Sequence, residues 1–337
     1  MRVLVLGGTR FLGQHIVRGL VARGDAVSVF HRGKTERAPL DGVLHVHGDF
    51  TTLPQRLDDV RAFDPDVAVD VVPFHDKGGH GIAHLEEIVE RAVVVTSGDV
   101  YRAFARLTGS EPGPPDPVPL TEESPLRAKP SPDLTADVAF DNLEVELAAA
   151  RSRLPVTVIR APMIFGPHDP YRRLQPYLRR MDDRRSTIVI DARLARWRCS
   201  RSYVENVAAA VVLAATNPAA AGRTYNVAPV HTPTEAEWIR AIGQACGWDG
   251  EIVAAPAEAL PEHLRAGFHA EQDIVLDSTR IRTELGYAEP VTLTDALRET
   301  IAWERANPSL LSPEPDYAAE DAVIATLERS HASTRLS

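Results

Sequence analysis

A doubly wound, parallel α/β sheet with a smaller C-terminal α/β lobe is the fold class this sequence predicts. Three observations predict it. Apolar runs rich in β-branched residues recur at 3–6, 27–30, 43–47, 67–72, 93–96 and 156–160. Runs that are apolar on both faces suit strands buried inside a parallel sheet. Helical spacing fills most of the intervals between them, and that alternation makes right-handed βαβ units. Lastly, the first run is followed at once by Gly7-Gly8 and then by a helical pattern, where such a sheet turns tightly into its first helix.

The elements follow in order. A helix is expected over about 11–23, with Leu12, Ile16, Leu20 and Val21 at helical spacing and Gly24 as its stop. Further helices are expected near 53–62 and 79–91, each leading into the next apolar run. Residues 110–137 break the rhythm: eight prolines exclude a helix or a central strand there. A loop this long inside a compact domain is usually functional or mobile. A helix near 143–150 then leads to the run at 156–160. After Gly166 helices are expected near 174–181, 204–215, 235–246, 293–305 and 317–328, with strands at 188–190 and 224–227. The expected division is a first domain over 1–165 and a lobe with a tail over 166–337, with residues near 200–228 returning to the first domain.

The 337 residues suffice for this plan, and 44% hydrophobic with 25% charged residues is ordinary for a globular protein. A net charge of −10 argues against a nucleic-acid or anionic-membrane partner. Two cysteines, Cys199 and Cys246, read as reduced thiols. No apolar run reaches the ~18–20 residues of a membrane span, and the chain opens directly into a strand. The cytoplasm is the expected location. Arg far outnumbers Lys, which suggests a GC-rich bacterial gene.

The turn at Gly7, Thr9, Arg10, Phe11, Leu12 and Gly13 reads as a dinucleotide site. Glycines let the backbone approach a pyrophosphate, and the helix N-terminus offers open N–H groups. The second run ends His31-Arg32-Gly33-Lys34, without the acid that binds an NAD ribose. Arg10, Arg32 and Lys34 can serve a 2′-phosphate instead, so NADP(H) is predicted over NAD(H). Asp49 either meets the adenine or is a plain turn residue.

These residues resemble the extended or atypical short-chain dehydrogenase/reductase superfamily, the NAD(P)-dependent epimerase/dehydratase group. The opening MRVLVLGGTRFLG carries the resemblance, with Thr96-Ser97-Gly98-Asp99-Val100-Tyr101, Arg160-Ala161-Pro162-Met163-Ile164-Phe165-Gly166-Pro167 and Tyr203-Val204-Glu205-Asn206-Val207-Ala208. The resemblance implies that the Ser97 hydroxyl holds a substrate oxygen. It also implies a Tyr-x-x-x-Lys pair on the helix after the proline-rich loop. Aligned through Glu146, those places hold Val138 and Asn142. Val138 exchanges no proton; Asn142 can bond a ribose but shifts no pKa. The chain has three lysines, Lys34, Lys77 and Lys129, and none follows a Tyr by four residues.

Replacements for the missing pair are sought at the C-terminal ends of the strands. His75, in Pro73-Phe74-His75-Asp76-Lys77, titrates in the useful range. Asp99 is either a base or a turn residue beside Ser97, and Tyr101 reads as structural. Met163, His168 and Asp169 follow the sixth run. Arg196, Trp197, Arg198 and Arg201 form a basic, aromatic segment suited to a phosphate, a sugar or a plain loop. No metal is expected: His80 and His84, with His75 near, have zinc spacing, but no HExxH Glu and no nearby Cys completes it. The leading expectation is an NADP(H)-dependent oxidoreductase reducing a carbonyl of a small metabolite, with a homodimer possible. The alternatives are a redox-neutral epimerase, dehydratase or isomerase, and a nucleotide-binding protein without catalysis.

Overall fold

The computed structural model describes residues 1–34, 42–71, 81–128, 141–308 and 314–334. The chain runs β1 (Arg2–Leu6), α1 (Phe11–Ala22), β2 (Ala26–His31), β3 (Val43–His47), α2 (Leu57–Phe63), β4 (Val67–Asp70) and β5 (Arg91–Ser97). It continues through α3 (Arg102–Thr108), α4 (Asn142–Arg151), β6 (Val156–Ala161), β7 (Met163–Phe165), α5 (Gln175–Asp182), β8 (Thr187–Asp191) and α6 (Ala192–Arg196). The remainder is β9 (Arg201–Tyr203), α7 (Val204–Thr216), β10 (Thr224–Asn226), α8 (Glu235–Cys246), β11 (Glu251–Ala255), α9 (Thr279–Leu285), α10 (Leu293–Ala306) and α11 (Tyr317–Thr334).

Seven parallel strands form the central sheet in the order β10-β6-β5-β4-β1-β2-β3. The order reverses between β1 and β4, so a crevice opens at the C-terminal ends of those strands. The apolar runs work on both faces, as a parallel sheet requires. Val3 and Val5 join the core made with α1 and α7, while Leu4 and Leu6 join the opposite core with Leu53, Ile82 and Val145. β10 pairs with β6, so the chain re-enters the sheet after crossing into the lobe. The lobe holds two short parallel pairs, β8 with β11 and β7 with β9.

Two features differ from expectation. The helix expected near 79–91 is, over its described part, a 3₁₀ turn at Gly81–Leu85 followed by a non-helical turn. The segment lies hard against the sheet: a Cβ on Gly81 would sit 3.3 Å from Leu6 and 3.5 Å from the Asp70 carboxylate. Glycine favours such close approach and disfavours a regular helix. The proline-rich loop, over its described residues 110–128, is tied down. Leu120 and Arg127 are buried, and their N–H groups donate to Val275 and Val100. Among the described residues no helix is long and apolar enough to cross a membrane.

Candidate active site

The glycine turn is built for close backbone approach. Gly7 has φ of 92°, which glycine adopts without strain. A Cβ on Gly13 would lie 2.3 Å from the Gly7 carbonyl oxygen and 2.9 Å from the Gly8 Cα. Phe11 holds φ at 32°, a strained value for a side-chain-bearing residue, at the first position of α1. The α1 N-cap, Arg10, makes no side-chain cap, and the first turn carries no acid. Its leading N–H groups therefore face outward with the positive end of the helix dipole. This cradle fits a dinucleotide pyrophosphate.

At the end of β2, in the place of the ribose-binding acid, stands His31. Its Nδ1 accepts from the Gly33 N–H at 3.1 Å, and its Nε2 lies 2.9 Å from Nδ1 of His45. Arg32 and Lys34, which follow His31, are exposed, as is Arg10 at the N-cap of α1. Asp49 caps the 3₁₀ helix Phe50–Arg56 in a reciprocal capping box with Thr52.

Ser97 ends β5, and its Oγ accepts from the Asp99 N–H at 3.2 Å, which leaves the hydroxyl proton to donate elsewhere. Asn142, the first residue of α4, donates its Nδ2 to both Asp99 oxygens at 2.9 Å. The residue aligned with the family's lysine thus holds Asp99. The buried Arg127 donates its Nε to the Asp99 backbone carbonyl, and its guanidinium lies 3.9 Å from the Asp99 carboxylate and 2.7 Å from that of Asp141, the N-cap of α4. Surrounding protein pushes the Asp99 carboxyl up to about 6, although 26% of its side chain reaches solvent. The Asn142 bonds and Arg127 pull the other way and offset this only in part. Arg127 and Asp141 were not singled out from the sequence. No local pattern marks them, because their pairing spans fourteen residues of chain.

Beneath this rim lies a satisfied polar floor. Arg160 of β6 binds Glu146 of α4 through two bonds, at 2.9 and 2.6 Å. Thr96 donates to Glu146, Arg160 donates to the Tyr101 hydroxyl, and that hydroxyl donates to Asn226 at 2.7 Å. Tyr101 is fully buried and its phenol is pushed up to about 12 by that burial.

The other candidates divide. His75, with Pro73 to Lys77, and likewise His80 and Val138, lie outside the described residues. His84 sits in the 3₁₀ turn. Asp169 is buried and accepts from Arg173 at 2.6 Å, while His168 packs edge-on to Trp303. In the basic, aromatic segment, Trp197 is buried against Phe268, Arg198 pairs with Asp273 and Arg201 pairs with Glu235. Three of its four residues therefore hold the lobe together, and Arg196 alone is exposed.

This geometry matches a known family. The NAD dependent epimerase/dehydratase family matches residues 3–228, about two thirds of the chain. The chain belongs to that family. A dTDP-glucose 4,6-dehydratase of Streptomyces niveus is 27% identical over 349 residues, spanning 94% of this chain and 97% of the relative. A UDP-N-acetyl-alpha-D-glucosaminuronate decarboxylase of Bacillus cytotoxicus is 24% identical, spanning 90% of this chain and 98% of the relative. The crystal structure of the Bordetella bronchiseptica enzyme WbmG in complex with NAD superposes with a TM-score of 0.65 at 17% identity, covering 91% of this chain and 94% of that one. At that identity the superposition speaks for the fold. This epimerase/dehydratase family member is thus an enzyme of a nicotinamide-dinucleotide-dependent class.

Proposed function

We propose that this enzyme carries out a redox-neutral transformation of a nucleotide-activated sugar, an epimerisation or dehydration, with Asp99 as its acid/base residue. The reading that the sequence placed first, a net carbonyl reductase, has less support. The relatives that span nearly the whole chain are a dehydratase and a decarboxylase of nucleotide sugars.

One observation carries the assignment of Asp99. At the end of β5, beside Ser97, stands a carboxylate held by an amide and lifted to about 6. A base of that strength is mostly ionised at neutral pH and still returns a proton readily. A bound nicotinamide would supply reversible two-electron oxidation of a secondary alcohol. Ser97 would hold the reacting oxygen by a hydrogen bond from its hydroxyl, and Asp99 would take the alcohol proton and return it to the same oxygen. Asn142 aims the carboxylate; Arg127 keeps it from rising further. The tyrosine of the family is unnecessary here because a partly desolvated carboxylate reaches the useful range by itself.

The cofactor in this proposal is NADP(H). No acid stands at the end of β2, where His31 lies, and Arg10, Arg32 and Lys34 are exposed. Paired fluorescence titrations with NADPH and NADH test this. A preference for NADPH that Arg32→Ala erases supports it; a preference for NADH ends it.

The reaction is tested by incubating the protein with dinucleotide and a panel of dTDP- and UDP-hexoses. Product should appear without net change in nicotinamide absorbance. Asp99→Asn should keep cofactor binding and lose turnover by about 10²–10⁴-fold. Turnover that survives this substitution removes Asp99 from the reaction.

A further inference from the structure

The edge of the sheet carries a group that the reaction above does not use. His45 and His47 lie two residues apart on β3, so their side chains leave the same face of the strand. His31 of β2 is in register with His47. One ring nitrogen from each of the three comes within 4.8 Å of the other two. His31 is buried, His45 is half-buried and His47 is exposed.

We infer that His31, His45 and His47 form a binding site for a divalent transition metal of the zinc class. Three imidazoles, two from one strand and one from its neighbour, make a donor set that suits Zn²⁺, Co²⁺, Ni²⁺ or Cu²⁺ and repels neither. Tetrahedral zinc with Zn–N bonds of ~2.0–2.1 Å places its ligand nitrogens about 3.3 Å apart. The separation of 2.9 Å between His31 Nε2 and His45 Nδ1 is already close to that value. His47, exposed, already brings a ring nitrogen within 4.8 Å of the other two. The fourth position opens to water, the arrangement of three protein ligands plus solvent.

The proton balance is explicit. The Gly33 N–H donates to His31 Nδ1, so the proton of neutral His31 sits on Nε2 and is donated to His45 Nδ1. The metal takes that proton's place. The proton leaves Nε2 through solvent, and one returns to Nδ1, which keeps the ring neutral. The Gly33 N–H must then turn away from Nδ1. Gly33 has φ of 70° and is exposed, so its peptide is free to reorient. His31 also stands where the dinucleotide ribose is proposed to lie, so the metal titration is made without dinucleotide, and its outcome is read apart from the cofactor assignment.

The test uses full-length, tag-free protein stripped with a chelator. Zn²⁺ is titrated by calorimetry and Co²⁺ by its visible absorption, in a non-coordinating buffer. The expected result is one ion per chain with low-micromolar or tighter affinity and tetrahedral Co²⁺ bands. His45→Gln and His47→Gln should each weaken binding by at least about tenfold. Both residues sit on an edge strand, so the thermal unfolding of the metal-free variants should match that of the parent. Absence of saturable binding, or unchanged affinity in the His45→Gln/His47→Gln double variant, overturns the inference.

Discussion

Two polar clusters share the ends of β5 and α4 and are wired in opposite ways. In the floor, Glu146 faces a guanidinium, Arg160, and every bond drawn between Thr96, Tyr101, Asn226 and that pair finds a matching donor or acceptor. In the rim, one turn earlier on α4, Asp99 faces an amide, Asn142, while the nearby cation Arg127 is committed to Asp141. A carboxylate against a cation is settled in its charged form. A carboxylate against an amide, in a place half shut off from water, is left with a cost of ionisation. The first cluster fixes the architecture, and the second retains a group that can exchange a proton.

The substitutions that sharpen this contrast are ranked by the size of their effect. Gly13→Ala should abolish dinucleotide binding in the fluorescence titration, since its Cβ collides with the Gly7 carbonyl at 2.3 Å. Preserved binding would mean that the glycine cradle is not the pyrophosphate site. Glu146→Gln leaves the Arg160 charge buried and unmatched, and should cost about 3–5 kcal/mol in denaturant unfolding. A loss below 1 kcal/mol, roughly the worth of an exposed pair, would show that the floor is wetter than its geometry.

Asp99→Asn should move stability the other way. The folded-state pKa of Asp99 is raised from 3.8 to about 6, so ionisation opposes folding. That opposition is absent below about 4, grows between 4 and 6, and is complete above 6. At pH 7.5 the variant should be more stable than the parent by up to about 3 kcal/mol, and the difference should vanish near pH 4. A variant less stable than the parent at neutral pH would place Asp99 among the structural carboxylates. The same titration predicts that turnover falls on the acid side of about pH 6. The smallest effect belongs to Tyr101→Phe, which orphans the buried Asn226 carbonyl at about 1–2 kcal/mol. Its acid limb should stay where the parent's is; a displaced limb would make Tyr101 part of the proton path.

Much of the fold was legible because burial on both sheet faces writes itself as continuous apolar runs. Strands β1 to β6 follow those runs, and the glycine turn between β1 and α1 lies where the sequence placed it. Elements without that signature escaped. The short strands β7, β9 and β11 and the short helices α3, α6 and α9 lie in stretches whose pattern is neither strictly alternating nor long enough for helical periodicity. The segment after Gly78 and Gly79 read as a helix by spacing, yet from Gly81 onward it is drawn tight to the sheet.

The sequence by itself determined the parallel sheet, the glycine cradle, the absence of Tyr-x-x-x-Lys and the presence of Asp99 and Asn142 at their motif positions. Each of these is carried by neighbours along the chain, where periodicity, turn chemistry and motif spacing act. Only the tertiary structure decided which carboxylate faces a cation and which faces an amide. Asp99 and Asn142 are forty-three residues apart, Arg127 and Asp141 fourteen, and Arg160 and Glu146 fourteen. Whether an acid meets a cation or an amide depends on which chain segments the fold brings together, and so does the local dielectric that sets its proton affinity.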